Sequence, residues 1–470
     1  MQSFRQNFIN ANTSKQFARS FSNALNSFPE SVRNAPATEV STLDNGLRVA
    51  SEGGHGETAT VGVWIDAGSR YENANNNGAA HFLEHMAFKG TSKRTQKQLE
   101  VEIENIGGHL NAYTSREQTV YYANVFKQDI PQAMDILSDI LQNSLLDEGA
   151  ITRERDVILR EMQEVEKQTE EVIFDRLHET AFQGTGLGRT ILGPEENIRN
   201  LQKSDLENYI KTHYTAPRMV VAGAGAVEHS QLAQLAENCF GGLPTAPATG
   251  LALPEDPAYF TGSDVRIRMD DMPLAHIALS VESAGWQSEH AFPLMVMHNL
   301  LGCWDRTGGS GRNMASKLCQ TVAELQLAHS VMSFNTCYKD TGLFGVYSVA
   351  EPHKVQDLMW YTLEAMVRLV HETSEEEVER ARTQLKANMM MQLDGSSNVC
   401  EDIGRQMLTY GRRMTPAEIF SRIEAVDANS VKVAADTFIN DQDVAAASIG
   451  PVHEMPDYNW LRRRTYWLRY

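Results

Sequence analysis

The sequence predicts an α+β protein of two homologous domains, each a mostly antiparallel sheet with helices packed on it. Three observations predict it. A chain of 470 residues with 42% apolar side chains exceeds what one hydrophobic core organises and has the apolar content for two. Residues 243–258, LPTAPATGLALPEDPA, hold four prolines and little regular pattern, which marks a boundary between folded units. On either side of it the same order of strand-like and helix-like segments recurs, as a duplication would leave it. The expected division is 1–40 as a leader and N-terminal arm, 41–242 as the first domain, 243–258 as a linker and 259–470 as the second domain with a C-terminal tail.

The elements follow in order. The first 29 residues contain Arg5, Lys15 and Arg19 but no Asp or Glu, and Phe17, Phe21, Leu25 and Phe28 fall at helical spacing. That is the makeup of a mitochondrial transit peptide, without the continuous apolar core of a secretory signal; a disordered polar arm shares the composition. Asp44-Asn45-Gly46 predicts a tight turn between short strands. Ala59 to Ala67 reads as a strand, with Val61, Val63 and Ile65 alternating against smaller or polar neighbours. Residues 78–88 have helical spacing, 110–126 is strand-like, Pro131 opens a helix to about Leu146, and 152–167 is strongly helical. A strand over 219–226 leads to a helix over 230–239. Beyond the boundary, strands are expected over 275–281 and 342–349, and helices over 288–301, 355–370 and 375–392.

Composition excludes several classes of function. The net charge of −19 is spread over helices and turns, which argues against a nucleic-acid surface and suits a basic peptide as partner. Cys239, Cys303, Cys319, Cys337 and Cys400 form no C-x-x-C pair, and read as reduced, mostly buried thiols of a non-secretory compartment. No apolar run reaches the length of a transmembrane helix. Gly308-Gly309-Ser310-Gly311 is followed by Arg312-Asn313 rather than Lys-Ser/Thr, so a phosphate loop is excluded.

One segment carries chemistry. In His81-Phe82-Leu83-Glu84-His85 the positions i, i+3 and i+4 share a helix face, so His81, Glu84 and His85 project together. Two neutral imidazoles at this spacing suit zinc, and the carboxylate between them is placed to take a proton from metal-bound water. The order H-x-x-E-H reverses the commoner zincin pattern. The competing reading is a surface helix with two ordinary histidines. A second helix favours the metal: Glu154, Glu161 and Glu164 lie on roughly one side of it, with Val157, Ile158 and Met162 supplying apolar contacts. One of these glutamates completes a site of two histidines and a water. Spacing does not choose among them, and a solvated helix face competes for each. The second half has no such pattern; His290 lies in the comparable helix but is followed by Ala291, Phe292, Pro293 and Leu294.

With NGAAHFLEHMAFKG at 77–90, GGHLNAYTSREQTVYYANV at 107–125, ERDVILREMQEVE at 154–166, LGPEENI at 192–198 and SFNTCYKDTGLFG at 333–345, the chain resembles the pitrilysin-like inverted zinc peptidases. The likeness runs from about Ser41 to Tyr470. Within the family it is to the branch of presequence-processing peptidases and core subunits of respiratory complex III. The resemblance implies Glu161 as third ligand of one zinc ion, Glu154 as the carboxylate steadying the site, and Glu84 as general base. It further implies that substrate adds as a strand against Asn111-Ala112-Tyr113, that Glu171 and Asp175 hold an arginine upstream of the cut, and that Phe88 lines the pocket for the aromatic side chain after it. The bland readings of these last residues are a solvated acid pair beside Arg176 and a core phenylalanine.

The alpha subunits of these peptidases carry a longer glycine-rich loop than the one here, which places this chain on the beta side of the pair. The resemblance therefore implies a heterodimer with an alpha subunit (core subunit 2), basic presequence peptides as substrate, and a place on the matrix side of the mitochondrial inner membrane. Its tail, PDYNWLRRRTYWLRY at 456–470, resembles those of core subunits that assemble with cytochrome b and other complex III subunits. The alternative it leaves is a catalytically silent structural core subunit of that complex, ubiquinol-cytochrome c reductase.

Overall fold

The computed structural model describes residues 28–254, 257–309 and 311–466. The predicted transit peptide lies outside them up to residue 27, and the tail's Trp467 to Tyr470 do as well. Phe28 and Val32, from the stretch read as leader and arm, are buried against Ala417 and Phe420 of the second half.

Twelve strands form two six-stranded sheets. The first contains β1 (Glu39–Thr42), β2 (Arg48–Gly53), β3 (Thr58–Ile65), β4 (His109–Thr114), β5 (Thr119–Phe126) and β6 (Met219–Gly225), in the order β1-β2-β6-β3-β5-β4. The second contains β7 (Ser263–Arg268), β8 (Ala275–Ala284), β9 (Cys303–Asp305), β10 (Ser330–Cys337), β11 (Thr341–Ala350) and β12 (Val444–Gly450), in the order β7-β12-β8-β11-β10-β9. The repeat predicted from the sequence is exact in topology over five strands. In each sheet one parallel pair, β2 with β6 or β7 with β12, leads into an antiparallel run. The edges differ: β9 covers part of β10 in the second sheet, whereas its counterpart β4 ends the first sheet with one side unpaired among the described residues.

The turn at Asp44-Asn45-Gly46 forms as expected between β1 and β2, with Gly46 at φ 87° and its N–H bonded to Leu43 O. The stretch 110–126, read as one strand-like segment, is instead the hairpin β4–β5. No Gly or Pro punctuates it; the Ser115 hydroxyl receives the Gln118 N–H and closes a turn of polar residues, as serine does in place of those residues.

The helices that matter here are α1 (Ala79–Ala87), α2 (Glu148–Val165), α3 (Thr169–Ala181), α4 (Glu375–Gln392) and α5 (Ser396–Thr409). Helix α2 starts earlier than predicted because Asp147 accepts from Ala150 N and caps it. The pairs α2–α3 and α4–α5 correspond, and their second members are exchanged. Helix α3 of the first half packs on β12, β8 and β7, where Ile173 and Leu177 meet Ala278 and Ala445. Helix α5 of the second half packs on β6, β3 and β2, where Cys400, Ile403 and Met407 meet Ala50, Trp64 and Ala222. This explains why β3 is buried on both faces, although its sequence alternates as a half-exposed strand would.

A charged clasp joins the halves at the loop ends of the sheets. Arg70 donates to Glu117 at 2.6 Å and to both carboxylate oxygens of Asp340 at 2.8 and 2.5 Å. Asp340 belongs to the segment SFNTCYKDTGLFG, whose Tyr338 hydroxyl also meets His178 Nε2 of α3 at 2.7 Å.

His290 stands just before the helix Ala291–Leu301 rather than within it, edge-on to Phe438, and no metal-ligating cluster lies in this half among the described residues. Cys319, Cys337 and Cys400 are buried, Cys239 is partly so and Cys303 is exposed; none is paired. No described helix is long and apolar enough to cross a membrane. The described part of the tail folds back on the second half. Leu461 is in the core, Arg462 pairs with Asp441 and Asp443, and Arg464 is sandwiched between Trp360 and Trp460.

Candidate metal centre and cleft

The metal-bearing helix is held at its start by a buried carboxylate. Glu72 accepts from Gly78 N at 2.9 Å, Ala80 N at 2.7 Å and Asn77 Nδ2 at 2.8 Å, an acid at the positive end of α1. Burial pushes its carboxyl up to about 7, against the pull of those donors. Gly78 has φ 103°, and a Cβ there would lie 2.7 Å from Ile198 Cδ1 and 2.8 Å from Leu192 O, so the close approach of the segment LGPEENI needs glycine. Phe82, Leu83 and Met86 anchor α1 in the first core, which turns His81, Glu84 and His85 to the opposite side.

There they meet α2. Glu161 Oε1 lies 3.7 Å from His81 Nε2, and Glu161 Oε2 lies 3.1 Å from His85 Nε2. One ligand atom from each of these residues falls within 4.8 Å of the others. A tetrahedral ion with bonds of about 2.0–2.1 Å sets its donors about 3.3 Å apart, so the cluster fits one zinc ion. Burial lowers the affinity of His85 for a proton, but the hydrogen bonds to Glu161 and Glu154 outweigh it and the net shift is upward. The imidazoles of His81 and His85 beside it hold Glu161 far below the usual carboxylate range.

The three glutamates that spacing left equivalent are separated by geometry. Glu161 faces both imidazoles. Glu154 Oε2 lies 3.3 Å from His85 Nδ1, on the other side of that ring. Glu164 points outward and pairs with Lys167 at 2.7 Å. Glu84 accepts from the Thr114 hydroxyl at 2.7 Å, at the end of the open strand β4.

Asn111, Ala112 and Tyr113 are on β4, in register with Tyr122, Tyr121 and Val120 of β5. Phe88 follows α1, half-buried, with its ring edge-on to that of Tyr121 and the ring centroids 6.4 Å apart. Glu171 and Asp175 are both on α3. Glu171 is exposed, and Asp175 already holds a guanidinium: Arg116 of the β4–β5 turn donates to it at 2.5 Å. Arg176 pairs with Glu179 instead of either acid. Sequence reasoning missed Glu72, Lys89, Thr114, Arg116 and Glu401. Lys89, Thr114 and Arg116 lie inside the motifs already singled out, but nothing in the spacing assigns their partners.

The family model of the insulinase peptidases, "Insulinase (Peptidase family M16)", matches residues 48–195, and that of the "Peptidase M16 inactive domain" matches 200–385. The chain belongs to peptidase family M16. It is a zinc-dependent metalloendopeptidase of that family, with its metal cluster in the first matched region and none, among the described residues, in the second. Among its relatives, the mitochondrial-processing peptidase subunit beta of Mus musculus is 54% identical, covering 94% of this chain and 90% of its own. The same subunit of Blastocladiella emersonii is 54% identical over 97% of this chain and 98% of its own. A chain in the solved structure of complex III2 from Candida albicans, bound to Inz-5, superposes with a TM-score of 0.81 at 26% identity, covering 92% of this chain and all of that one.

Proposed function

We propose that this M16 peptidase removes basic presequences from imported mitochondrial precursors, paired with an alpha subunit on the matrix side of the inner membrane. Residues 41–242 form the working half, 243–258 the link and 259–470 the supporting half. The observation that carries the reading is the convergence of His81, His85 and Glu161 beside the open edge of β4, with Glu84 between the two.

Bound at His81, His85 and Glu161, zinc would supply Lewis acidity to the scissile carbonyl and to water. The chain's own groups do the rest. Glu154 accepts from His85 Nδ1 and so keeps the Nε2 lone pair turned to the site. Thr114 holds one oxygen of Glu84, leaving the other to accept the water proton and pass it to the departing amine nitrogen. The free edge of β4 at Asn111-Ala112-Tyr113 pairs with an extended peptide backbone. Glu171 and Asp175 attract an arginine before the cut, and Phe88 offers its face to an aromatic residue after it.

Glu84→Gln tests this directly: zinc content is expected to remain at one per chain while cleavage of an arginine-bearing presequence disappears. Near-wild-type turnover in that variant would remove Glu84 as the base. A second role, as a core subunit of complex III alongside cytochrome b, is supported by the fold shared with the Candida albicans chain. Native-mass separation of gently solubilised inner membranes tests it, with co-migration of chain, cytochrome b and processing activity expected. Recovery of the chain solely as a soluble heterodimer defeats the dual role, and a complex III band without zinc or cleavage activity favours the silent structural subunit.

A further inference from the structure

Glu154 is tied at both ends. Its Oε2 meets His85 Nδ1 at 3.3 Å, and its Oε1 meets the Lys89 ammonium at 2.8 Å. Lys89 sits four residues beyond His85, just past the end of α1, and its backbone N–H is bonded to Met86 O. The next cations along the chain are engaged elsewhere: Lys93 with Asp135, and Arg94 with Glu102, Asp135 and Asp139. Lys89 is thus the cation that faces Glu154, whose side chain is only 9% exposed.

Two consequences follow from elementary electrostatics. First, the centre gathers three carboxylates, Glu84, Glu154 and Glu161. A divalent ion leaves one negative charge over, and the ammonium of Lys89 cancels it; an uncompensated charge in a half-buried site is costly. Second, a carboxylate bonded through one oxygen alone is free to turn. With Oε1 pinned by Lys89, Glu154 is held at the back of the His85 ring and kept from swinging round to compete with Glu161.

We infer that Lys89 is a positioning residue of the metal centre, acting through Glu154 to fix His85 for zinc. It touches neither the ion nor the reacting atoms. This rests on the reading of His81, His85 and Glu161 as the zinc site.

The test is zinc affinity of the full-length chain, measured by competition with a chromophoric chelator, alongside thermal unfolding of the metal-free protein. Loss of an outer partner of a metal-bound histidine typically weakens metal binding about 10- to 100-fold, and Lys89→Met is expected at the lower end of that range. Lys89→Arg should stay close to wild type, and Lys93→Met, a control four residues further along, should be unaffected. A double-mutant cycle separates positioning from packing: in a Glu154→Gln background, adding Lys89→Met should cause no further loss. Unchanged zinc affinity in Lys89→Met overturns the inference, as does equal weakening by Lys89→Met and Lys89→Arg, or full additivity with Glu154→Gln. If Lys89→Met does not fold, Lys89→Gln enters the same cycle. A wild-type chain that binds no zinc would instead overturn the metal-site reading itself.

Discussion

Tyr113, on the open edge of the zinc-bearing half, donates its hydroxyl at 2.6 Å to Glu401 of the opposite half, and the other oxygen of Glu401 receives Trp64 Nε1 at 3.1 Å. The open strand β4, proposed to bind the peptide, is therefore braced from behind by a residue of the half in which no metal-ligating cluster lies among the described residues. Glu401→Ala should raise KM for a presequence peptide with zinc content unchanged. It should also cost about 1–3 kcal/mol in urea unfolding, because the buried Trp64 and the half-buried Tyr113 lose a charged acceptor. Unaltered KM would show that the strand holds its own position.

Glu171 and Asp175 stand one turn apart on α3, but their surroundings predict different behaviour. Asp175→Asn leaves Arg116, 10% exposed, without its carboxylate, whereas Glu171→Gln changes an exposed side chain. Both should slow cleavage of arginine-bearing peptides relative to arginine-free ones. Only Asp175→Asn should lower stability appreciably, since surface changes usually stay within about 0.5 kcal/mol. Thermal unfolding of the two single variants beside their cleavage ratios checks this.

Metal removal should stop cleavage without unfolding the chain. His81 and His85 stand on a helix already anchored by Phe82, Leu83 and Met86 and capped by Glu72, so the frame does not depend on the ion. Dialysis against a chelator, followed by circular dichroism and zinc readdition, should show retained helix content and recovered activity.

His213 predicts an acid-sensitive point outside the centre. Burial, and then the charge of Arg218 beside it, lower its pKa to about 3. The unfolded chain binds this proton near pH 6.5 and the folded chain does not, so the contribution to stability is complete above about 6.5 and is lost as pH falls toward 3. Urea unfolding of wild type and His213→Gln between pH 7.5 and 4.5 should give curves that differ in slope below 6.5, with the wild type the steeper.

What the sequence disclosed follows from the range of its regularities. The 3.6-residue period places His81, Glu84 and His85 on one face without any tertiary knowledge, and the proline-rich stretch at 243–258 needs none either. The third ligand was different. Glu154, Glu161 and Glu164 share a helix side, and only tertiary contact separates them: Glu161 meets both imidazoles, Glu154 the far side of His85, and Glu164 pairs with Lys167. The hairpin in 110–126 was hidden because its turn uses Ser115 in place of glycine or proline. Tyr113–Glu401 and Arg116–Asp175 span 288 and 59 residues, beyond any local pattern. The apolar side of helix α5 serves the other half's sheet, a partner that no local pattern names.

That crossing of α3 and α5 sets the evolutionary freedom of the half in which, among the described residues, no metal-ligating cluster lies. A redundant copy ordinarily drifts, yet Gly404 of α5 lies against the ring of Trp64, where a Cβ would collide with it, and Cys400 and Ile403 line the back of the catalytic sheet. Substitutions there would deform β3, which pairs with β5, the neighbour of the open edge strand β4. Cutting the chain within 243–258 should accordingly yield two fragments that remain associated and active together, while either one expressed alone should aggregate, since each would leave one face of a sheet bare.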